Sequence, residues 1–256
     1  MKTILITGCS SGFGLEIAKY FLERDWKVVA TMRTPREDIL PESENLENLR
    51  IMPLDVTDQK SIDSAVESAG PIDVLVNNAG IGLLNAVEGT SMELIREIFE
   101  TNTFGPIAMT RAFLPQFRER RSGVVVNVTS AVTLKSLPLL SVYTASKSAI
   151  TAFTESLALE LEQFNVRVRE VLPGRAPTTT RFAENGRESD RFVIPEAYEG
   201  LAQKFLDEWA VANQPITYAS DVAKAVWTAA NDPSSPIRIP AGADAVEWAK
   251  ARAAGI

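Results

Sequence analysis

The sequence predicts an α/β domain whose parallel sheet is covered by helices on both faces. Short segments with strand composition alternate along the chain with segments of helical periodicity. The strand segments are apolar almost throughout rather than at every second residue, which indicates strands that are buried on both faces. A length of 256 residues suits one such domain with a substantial core.

Four strands are predicted in the first half of the chain, and each ends in turn residues. Their segments are TILITG, WKVVATMR, LRIMPLDVTD and IDVLVNNAG. Helical spacing follows the first strand at Leu15, Ile17, Ala18, Phe21 and Leu22. A second helix begins at Asp58, and a long helix from Ser91 is predicted to be interrupted near Gly105 and Pro106.

The second half contains further strands and one segment that breaks the alternation. The strands GVVVNVTS and VRVREVLPG flank an amphipathic helix, and the helix ASDVAKAVWTAAND precedes the short strand PIRIP. Residues 175–217 are rich in charge and proline. Because they follow the carboxyl end of a strand, where ligands bind in such sheets, we expect them to form a substrate lid within a single domain, residues 1–256.

Composition and charge argue against several classes of function. The net charge of −7 argues against binding to nucleic acid or to an anionic membrane surface. Cys9 is the single cysteine and histidine is absent, which excludes disulfides, a cysteine-built zinc site and a Ser–His–Asp triad, and no metal site is predicted. The first apolar run is too short for a signal peptide and no segment approaches a membrane span, so a cytoplasmic location is expected.

A glycine-rich loop, TGCSSGFG, follows the first strand and contains Gly8, Gly12 and Gly14. Small residues let the backbone approach a pyrophosphate, and the N-terminus of the next helix offers free N–H groups. A tight strand-to-helix turn is the alternative. The position of the loop after the first strand of an alternating chain favours a dinucleotide site.

The end of the second strand indicates which dinucleotide is bound. Dinucleotide folds often place an acidic residue about 20 positions after the glycines, where it binds the ribose 2′-OH. The corresponding segment, TMRTP, has no carboxylate and carries Arg33 instead. An arginine suits a 2′-phosphate, so the sequence favours NADP(H), with NAD(H) and a merely solvated Arg33 as the alternatives.

Candidate acid–base groups are found in the second half of the chain. Tyr143 and Lys147 are four residues apart and therefore share one helical face. A phenol has a pKa near 10, and we expect the neighbouring ammonium to lower the pKa of Tyr143. Lowering it by three units requires about 4 kcal/mol of differential stabilisation of the phenolate. Ser130 closes the fifth strand, where its hydroxyl can orient a carbonyl. The pair alone occurs by chance on many helices, but its combination with the serine and the glycine loop is specific.

Together with further motifs, these residues make the chain resemble the classical short-chain dehydrogenases/reductases over essentially its full length. The motifs are TGCSSGFG, LDVTD, NNAG, NTFG, Ser130, YTASK and PGRAPT. The resemblance implies a Rossmann-type sheet of about seven strands and hydride transfer between a nicotinamide dinucleotide and a carbonyl or alcohol. TGCSSGFG together with VVATMR is similar to the NADP-preferring reductases and the hydroxysteroid or retinol dehydrogenases.

The resemblance also implies roles for single residues. Tyr143 is then the acid in reduction and the base in oxidation, Lys147 lowers its pKa and binds the nicotinamide ribose, and Ser130 orients the carbonyl. Asn102 holds a helix kink and a relay water, or only accommodates the break in the helix. The implied cofactor-binding residues are Gly8, Ser10, Ser11, Gly12, Phe13, Gly14, Arg33, Asp55, Val56, Asn78, Ala79, Gly80, Tyr143, Lys147, Pro173, Gly174 and Thr178. Many NADP-dependent members carry a basic residue where this chain has Ser11, so the preference for NADP rests mainly on Arg33.

Apolar residues around Tyr143 predict a pocket for a lipophilic ketone, aldehyde or secondary alcohol. The wall of this pocket would consist of Leu134, Leu137, Leu139 and Val142, and Leu83, Leu84, Phe182, Phe205 and Trp209 could extend it. The alternative is that some of these residues pack in the core or in a subunit interface. Helices beginning at Ser91 and Val142 often form interfaces in the resembling family, which is compatible with a homodimer or homotetramer. Two other functions stay open: a non-catalytic dinucleotide-binding sensor, and a sugar-nucleotide epimerase or dehydratase, which usually has a larger C-terminal substrate domain.

Overall fold

The computed structural model describes residues 1–36, 38–40, 45–177, 194–210 and 214–255. Within them, seven strands form one sheet in the order β3-β2-β1-β4-β5-β6-β7, and all neighbours are parallel. The strands are β1 (Thr3–Thr7), β2 (Lys27–Met32), β3 (Leu49–Pro53), β4 (Val74–Asn77), β5 (Gly123–Val128), β6 (Val166–Pro173) and β7 (Arg238–Ala241). The predicted fold class is confirmed, and each strand overlaps the segment that the sequence indicated.

Helices cover both faces of the sheet. They are α1 (Gly12–Leu22), α2 (Gln59–Ala69), α3 (Met92–Phe99), α4 (Gly105–Arg120), α5 (Ser141–Glu162), α6 (Glu199–Ala210), α7 (Ala219–Asn231) and α8 (Ala243–Ala253). Short 3-10 helices cover Leu46–Asn48, Val87–Gly89, Ala131–Thr133 and Glu196–Tyr198. Helix α8 was not predicted from the sequence, because its buried residues are only Asp244 and Ala245 and no apolar stripe marks it as a helix.

Successive residues of the central strands point to opposite faces of the sheet, and both faces are buried. On one face, Ile6 belongs to a cluster with Phe21 of α1 and Val226 of α7. On the other face, Leu5 belongs to a cluster with Phe113 of α4. Burial on both faces explains why the strand segments are apolar throughout.

The long helix predicted from Ser91 is divided by a π-helical segment, Glu100–Phe104. Ser91 caps α3 by accepting a hydrogen bond from the N–H of Leu94 at 3.2 Å. The interruption ends just before Gly105, and Pro106 lies in the first turn of α4, where its missing N–H removes no helical hydrogen bond. The predicted interruption is therefore present, and it begins five residues before Gly105.

The strand order reverses between β1 and β4, because the chain returns from the edge strand β3 to the middle of the sheet. In α/β sheets of this kind, ligands bind in the crevice at the carboxyl ends of the strands, next to such a reversal. Of the predicted lid, residues 178–193 and 211–213 lie outside the described residues. Its helix α6 packs through Ala202 and Phe205 on an apolar cluster that includes Tyr143.

Candidate active site

A cavity of about 670 Å³ lies at the carboxyl edge of the sheet, a size that is usual for sites of small molecules and cofactors. It collects predicted residues from segments that are far apart in the sequence. Those that line it are Gly8, Ser10, Ser11, Gly12, Phe13, Arg33, Asp55, Val56, Asn78, Ala79, Gly80, Ser130, Tyr143, Lys147, Pro173 and Gly174. The fold thus brings most of the predicted site into one cleft.

Three of the predicted site residues are not part of this lining. A Cβ on Gly14 would overlap the carbonyl oxygen of Gly8, so the absence of a side chain serves the packing of the loop on α1 rather than a contact with the cavity. Asn102 is completely buried beneath the cleft. Thr178 lies outside the described residues.

The glycine loop is fixed to the end of β4 by hydrogen bonds of Thr7. The Thr7 hydroxyl oxygen accepts from the backbone N–H groups of Asn78 at 3.0 Å and Ala79 at 2.9 Å. In return, the Asn78 amide donates to the carbonyls of Thr7 at 2.9 Å and Gly8 at 3.2 Å. Gly8 has φ of 75°, and a Cβ there would lie 2.8 Å from the Cα of Ala79. Sequence reasoning missed Thr7, since one threonine at a strand end carries no signal of its partners.

Charged groups gather where β2 and β3 end. Asp55 accepts a hydrogen bond from the N–H of Thr57 at 2.9 Å, which, with a smaller effect of the Arg33 charge, holds the pKa of Asp55 below its usual value. Arg33 is exposed and lines the cavity. Arg36, which the sequence analysis did not single out, donates to the carbonyl of Ser10 at 2.8 Å. Two guanidinium groups therefore lie beside the glycine loop.

Ser130, Tyr143 and Lys147 meet in the same cleft. The ammonium of Lys147 lies 5.9 Å from the centre of the Tyr143 ring and donates to the carbonyl of Val128 at 3.2 Å. The side chains of Ser130 and Tyr143 form a hydrogen bond. All three residues are at most 9% exposed. The geometry thus joins the three residues that the sequence placed on a strand end and on the following helix.

Burial moves the pKa of both titratable groups away from the ordinary values. It raises the pKa of Tyr143 to about 12, against the opposing effect of the hydrogen bond with Ser130. It lowers the pKa of Lys147 to about 8, against the opposing effect of the negative charge of Glu170. The predicted lowering of the pKa of Tyr143 is therefore wrong here, because loss of water raises this pKa more than the hydrogen bond with Ser130 lowers it. The phenol is protonated at neutral pH, which is the form that donates a proton.

Glu170 of β6 is a buried carboxylate that sequence reasoning missed. It accepts hydrogen bonds from the hydroxyls of Thr129, at 2.6 Å, and Thr151, and its second oxygen lies 3.1 Å from Nε of Arg238. Thr129 directly precedes Ser130, and Thr151 lies one turn after Lys147. The carboxylate thus connects the two elements that carry the candidate acid–base groups. A charged residue within a strand buried on both faces is the signal that could have found it.

Asn102 lies in the π-helical segment and bonds to both backbone groups of Ile81. Its side-chain oxygen accepts from the Ile81 N–H at 2.8 Å, and its amide donates to the Ile81 carbonyl at 2.9 Å. The amide also lies 3.2 Å from the Ser146 hydroxyl of α5. Asn102 therefore holds the loop after β4 against α5 at the break in the helix, and its relay water stays a prediction.

The predicted apolar wall lies mostly one layer behind the cavity surface. Leu83, Leu139 and Phe205 are buried in a cluster with Tyr143, and Leu84, Leu137, Val142 and Trp209 pack against it. Of these residues Trp209 lines the cavity, whereas Leu134 is half-buried elsewhere and Phe182 lies outside the described residues. Apolar lining residues that were not predicted from the sequence include Met32, Leu54, Ile81, Val128, Val132, Leu140, Leu206 and Trp248. The cleft thus has an apolar part, but other residues supply it.

The part of the chain that the structure describes has neither a membrane-spanning helix nor a cluster of metal-binding side chains. No helix there is long and apolar enough to cross a membrane. Nor do these residues contain a group of three or more acidic or cysteine side chains arranged to hold a metal ion.

Sequence comparison shows that this chain is similar to known oxidoreductases. The model of the short chain dehydrogenase family matches residues 2–189. Human retinol dehydrogenase 8 is 39% identical over 194 residues, which cover 71% of this chain and 60% of that protein. The 3-ketodihydrosphingosine reductase of Bacteroides thetaiotaomicron is 38% identical over 209 residues, which cover 80% of this chain and 73% of that protein. The match thus spans less than two thirds of the human relative.

Solved structures agree with this match. A short-chain dehydrogenase from Streptomyces avermitilis superposes with a TM-score of 0.81 at 33% identity, over 99% of this chain and 92% of that one. A closed serine dehydrogenase complexed with NADP⁺ gives 0.78 at 29% identity, over 94% and 95%. A 3-ketoacyl-(acyl-carrier-protein) reductase from Brucella melitensis complexed with NADH gives 0.78 at 28% identity, over 94% and 96%. With the sheet order, the glycine loop and the Ser130–Tyr143–Lys147 group, these matches show that the chain belongs to the short-chain dehydrogenase/reductase family of oxidoreductases.

Proposed function

We propose that the protein is an NADP-dependent oxidoreductase that interconverts a lipophilic ketone or aldehyde and the corresponding alcohol. The observation that carries the proposal is the buried Ser130–Tyr143–Lys147 group in a cleft that also contains the glycine loop. A protein that only binds a dinucleotide has no need for a proton donor placed in this way. An epimerase or dehydratase usually has a larger C-terminal substrate domain, whereas beyond residue 177 the described residues provide only α6 and Trp248 of α8 at the cavity.

The residues of the cleft fit a dinucleotide. Gly8 and Gly12 have φ of 75° and 62°, so the loop turns sharply with no side chains at these points. Loop residues Ser10 to Phe13 line the cavity where α1 begins, and a helix N-terminus favours a diphosphate. Lys147 and the Pro173–Gly174 turn, which also line the cleft, would hold the nicotinamide half of the cofactor.

The proton chemistry of reduction follows from the protonation states of the site. The bound cofactor supplies the hydride. The Ser130 hydroxyl orients the carbonyl, and the protonated Tyr143 donates its phenol proton to the oxygen as negative charge develops there. The Lys147 ammonium stabilises the resulting phenolate in a site from which water is largely removed.

The preference for NADP(H) is supported by Arg33 and by the second guanidinium, Arg36. Arg33→Asp is expected to lower kcat/KM for NADPH by about ten- to a hundredfold, because a charge-assisted contact with the 2′-phosphate is lost and repulsion replaces it. The value for NADH is expected to stay unchanged or rise, since an aspartate can accept a bond from the 2′-OH. Arg36 and Ser11 remain, so complete reversal is not expected.

The measurement is kcat/KM for both cofactors at one fixed ionic strength, because the contact is electrostatic. Arg50→Asp is the matched control, since Arg50 is exposed at the amino end of β3, away from the cleft edge. A wild type that already prefers NADH, or a ratio that does not move, shows that Arg33 does not determine the cofactor.

The protonation of Lys147, which the charge of Glu170 favours, should make kcat/KM for reduction depend on pH. Lys147 has a pKa of about 8 and Tyr143 one of about 12, so Lys147 is the first of the two to lose its proton as the pH rises. We expect kcat/KM for reduction to fall above about pH 8. Glu170→Gln removes the charge that raises the pKa of Lys147, so the fall should move to lower pH.

Glu155→Gln is the control for this shift, because Glu155 is a partly exposed partner of the same Arg238 at 3.3 Å. The control should keep the fall near pH 8. A uniform loss of activity in Glu170→Gln, with an unshifted pH profile, would mean that Glu170 supports the fold alone.

Location and assembly are part of the same proposal. We place the protein in the cytoplasm, with a small lipophilic molecule rather than nucleic acid or membrane as its partner. Assembly as a homodimer or homotetramer would use α3 and α5, the helices predicted to begin at Ser91 and Val142. Sedimentation velocity measures the assembly state directly.

A further inference from the structure

A cationic side chain that the proton chemistry does not use lies in the wall of the cavity. Arg175 follows Gly174 after β6, lines the cavity and is only 8% exposed. Its guanidinium donates to the side-chain oxygen of Gln214 at 2.6 Å and lies 5.0 Å from the ring centre of Trp209. A guanidinium group is thus held away from bulk water.

No carboxylate among the described residues forms an ion pair with this guanidinium. Asp244 of α8 contacts Arg175, but it accepts from the backbone N–H at 2.6 Å, and its other oxygen accepts from the Thr217 hydroxyl at 2.7 Å. Glu97 also lines the cavity. Burying a cation is costly unless an anion compensates it, and one amide oxygen and an aromatic face compensate only in part.

The backbone around Arg175 is fixed from two sides. The N–H of Gly174 donates to the Thr217 hydroxyl at 2.9 Å, and the N–H of Thr217 donates to the carbonyl of Arg175 at 2.7 Å. Together with the bond to Asp244, these contacts hold the segment in place before any ligand arrives. A pre-organised donor loses little freedom when it binds its partner.

We propose that Arg175 binds an acidic group of the substrate, so that the substrate class is a carbonyl compound with an apolar body and a carboxylate or phosphate. This inference rests on the proposed function, because Arg175 and Tyr143 line one cavity and would contact the same molecule. The planar guanidinium offers paired N–H donors that match both oxyanions. Leu206 and Trp209, which also line the cavity, would contact the apolar body.

The test compares binding of aromatic keto acids with that of their methyl esters. The probes have two to four methylene groups between a phenyl ketone and the carboxylate, beginning with 4-oxo-4-phenylbutanoate, and affinity is measured by calorimetry in the presence of NADP⁺. In wild type, the best acid should bind about ten- to a hundredfold more tightly than its ester, the usual effect of a hydrogen bond to a charged group. Arg175→Gln should bring this ratio close to one, and Arg175→Lys should leave an intermediate ratio.

Lys135→Gln is the matched control, because Lys135 is an exposed cation 5.2 Å from the ring centre of Trp248, which lines the same cavity. Solvent screens this charge, so the control should keep the wild-type ratio. Because binding is measured without turnover, an acid preference in a protein that reduces none of the probes would contradict the proposed function and leave the anion site standing.

Four results would overturn the inference. The first three are absence of acid binding at every chain length, equal affinity for acid and ester in wild type, and an acid-to-ester affinity ratio that is unchanged in Arg175→Gln. The fourth is an equal loss of affinity for acid and ester in Arg175→Gln, which would make Arg175 only an anchor for α6. Weaker NADP⁺ binding by Arg175→Gln at an unchanged ratio would assign the guanidinium to the cofactor's phosphates, and it also overturns the substrate assignment. Circular dichroism and the Tm of each variant separate these outcomes from misfolding.

Discussion

Tyr143→Phe is expected to lower kcat for carbonyl reduction by at least about a hundredfold, the usual contribution of a positioned general acid. NADPH affinity should change by less than about threefold, since the phenol proton is needed in the transition state and many other groups contact the cofactor. The variant keeps the aromatic ring in its buried cluster with Leu139 and Phe205, so the fold should be retained. Cofactor affinity is measured by NADPH fluorescence, and kcat is measured with saturating carbonyl.

A matched control for this variant is Tyr20→Phe. Tyr20 lies on α1 and packs against Trp227, outside the cavity lining. The control should retain wild-type kcat. If Tyr143→Phe keeps more than a tenth of kcat, Tyr143 is not the acid.

Lys147→Ala should damage both turnover and cofactor binding. The ammonium is buried, lies 5.9 Å from the Tyr143 ring centre, and would lie 3.4 Å from a Cβ placed on Gly80 of the cofactor cleft. Its loss leaves the developing phenolate without a nearby cation, so we expect kcat to fall by about a hundredfold or more. The Kd of NADPH should rise about tenfold, the effect of one charge-assisted hydrogen bond.

The two variants are distinguished by this split between kcat and Kd. Lys250→Ala, an exposed lysine on α8, is the control for loss of positive charge. A Lys147→Ala protein with wild-type kcat and Kd would mean that the Tyr143–Lys147 pair is an ordinary feature of the helix.

The sheet and the acid–base group could be predicted because local patterns specify them. Uninterrupted apolar segments indicate strands buried on both faces, and the i, i+4 spacing places Tyr143 and Lys147 on one side of α5. Parallel strands then bring Ser130 to the edge where the glycine loop lies. None of these inferences needs a tertiary contact that is specific to this chain.

Features that depend on tertiary neighbours escaped prediction. The pKa of Tyr143 moves upward because the surrounding structure removes water, which spacing alone does not reveal. Glu170 and Arg175 are charged residues whose burial depends on elements remote in the sequence, β7 for one and α6 and α8 for the other. Gly14 matched a binding motif, yet its close contact with Gly8 gives it a packing role.

The central claim is that this cleft transfers a hydride to a carbonyl carbon while Tyr143 protonates the oxygen. Its most direct test is a single-turnover reaction of the protein with NADPH deuterated at the transferable C4 position, against a panel of lipophilic ketones and aldehydes, with the products analysed by mass spectrometry. We expect an alcohol carrying one deuterium on its carbinol carbon, one NADP⁺ formed for each alcohol, and formation of this product at least about a hundredfold more slowly with Tyr143→Phe. Tight NADPH binding without a deuterated alcohol from any carbonyl of the panel would contradict this claim and indicate a dinucleotide-binding protein without this reaction.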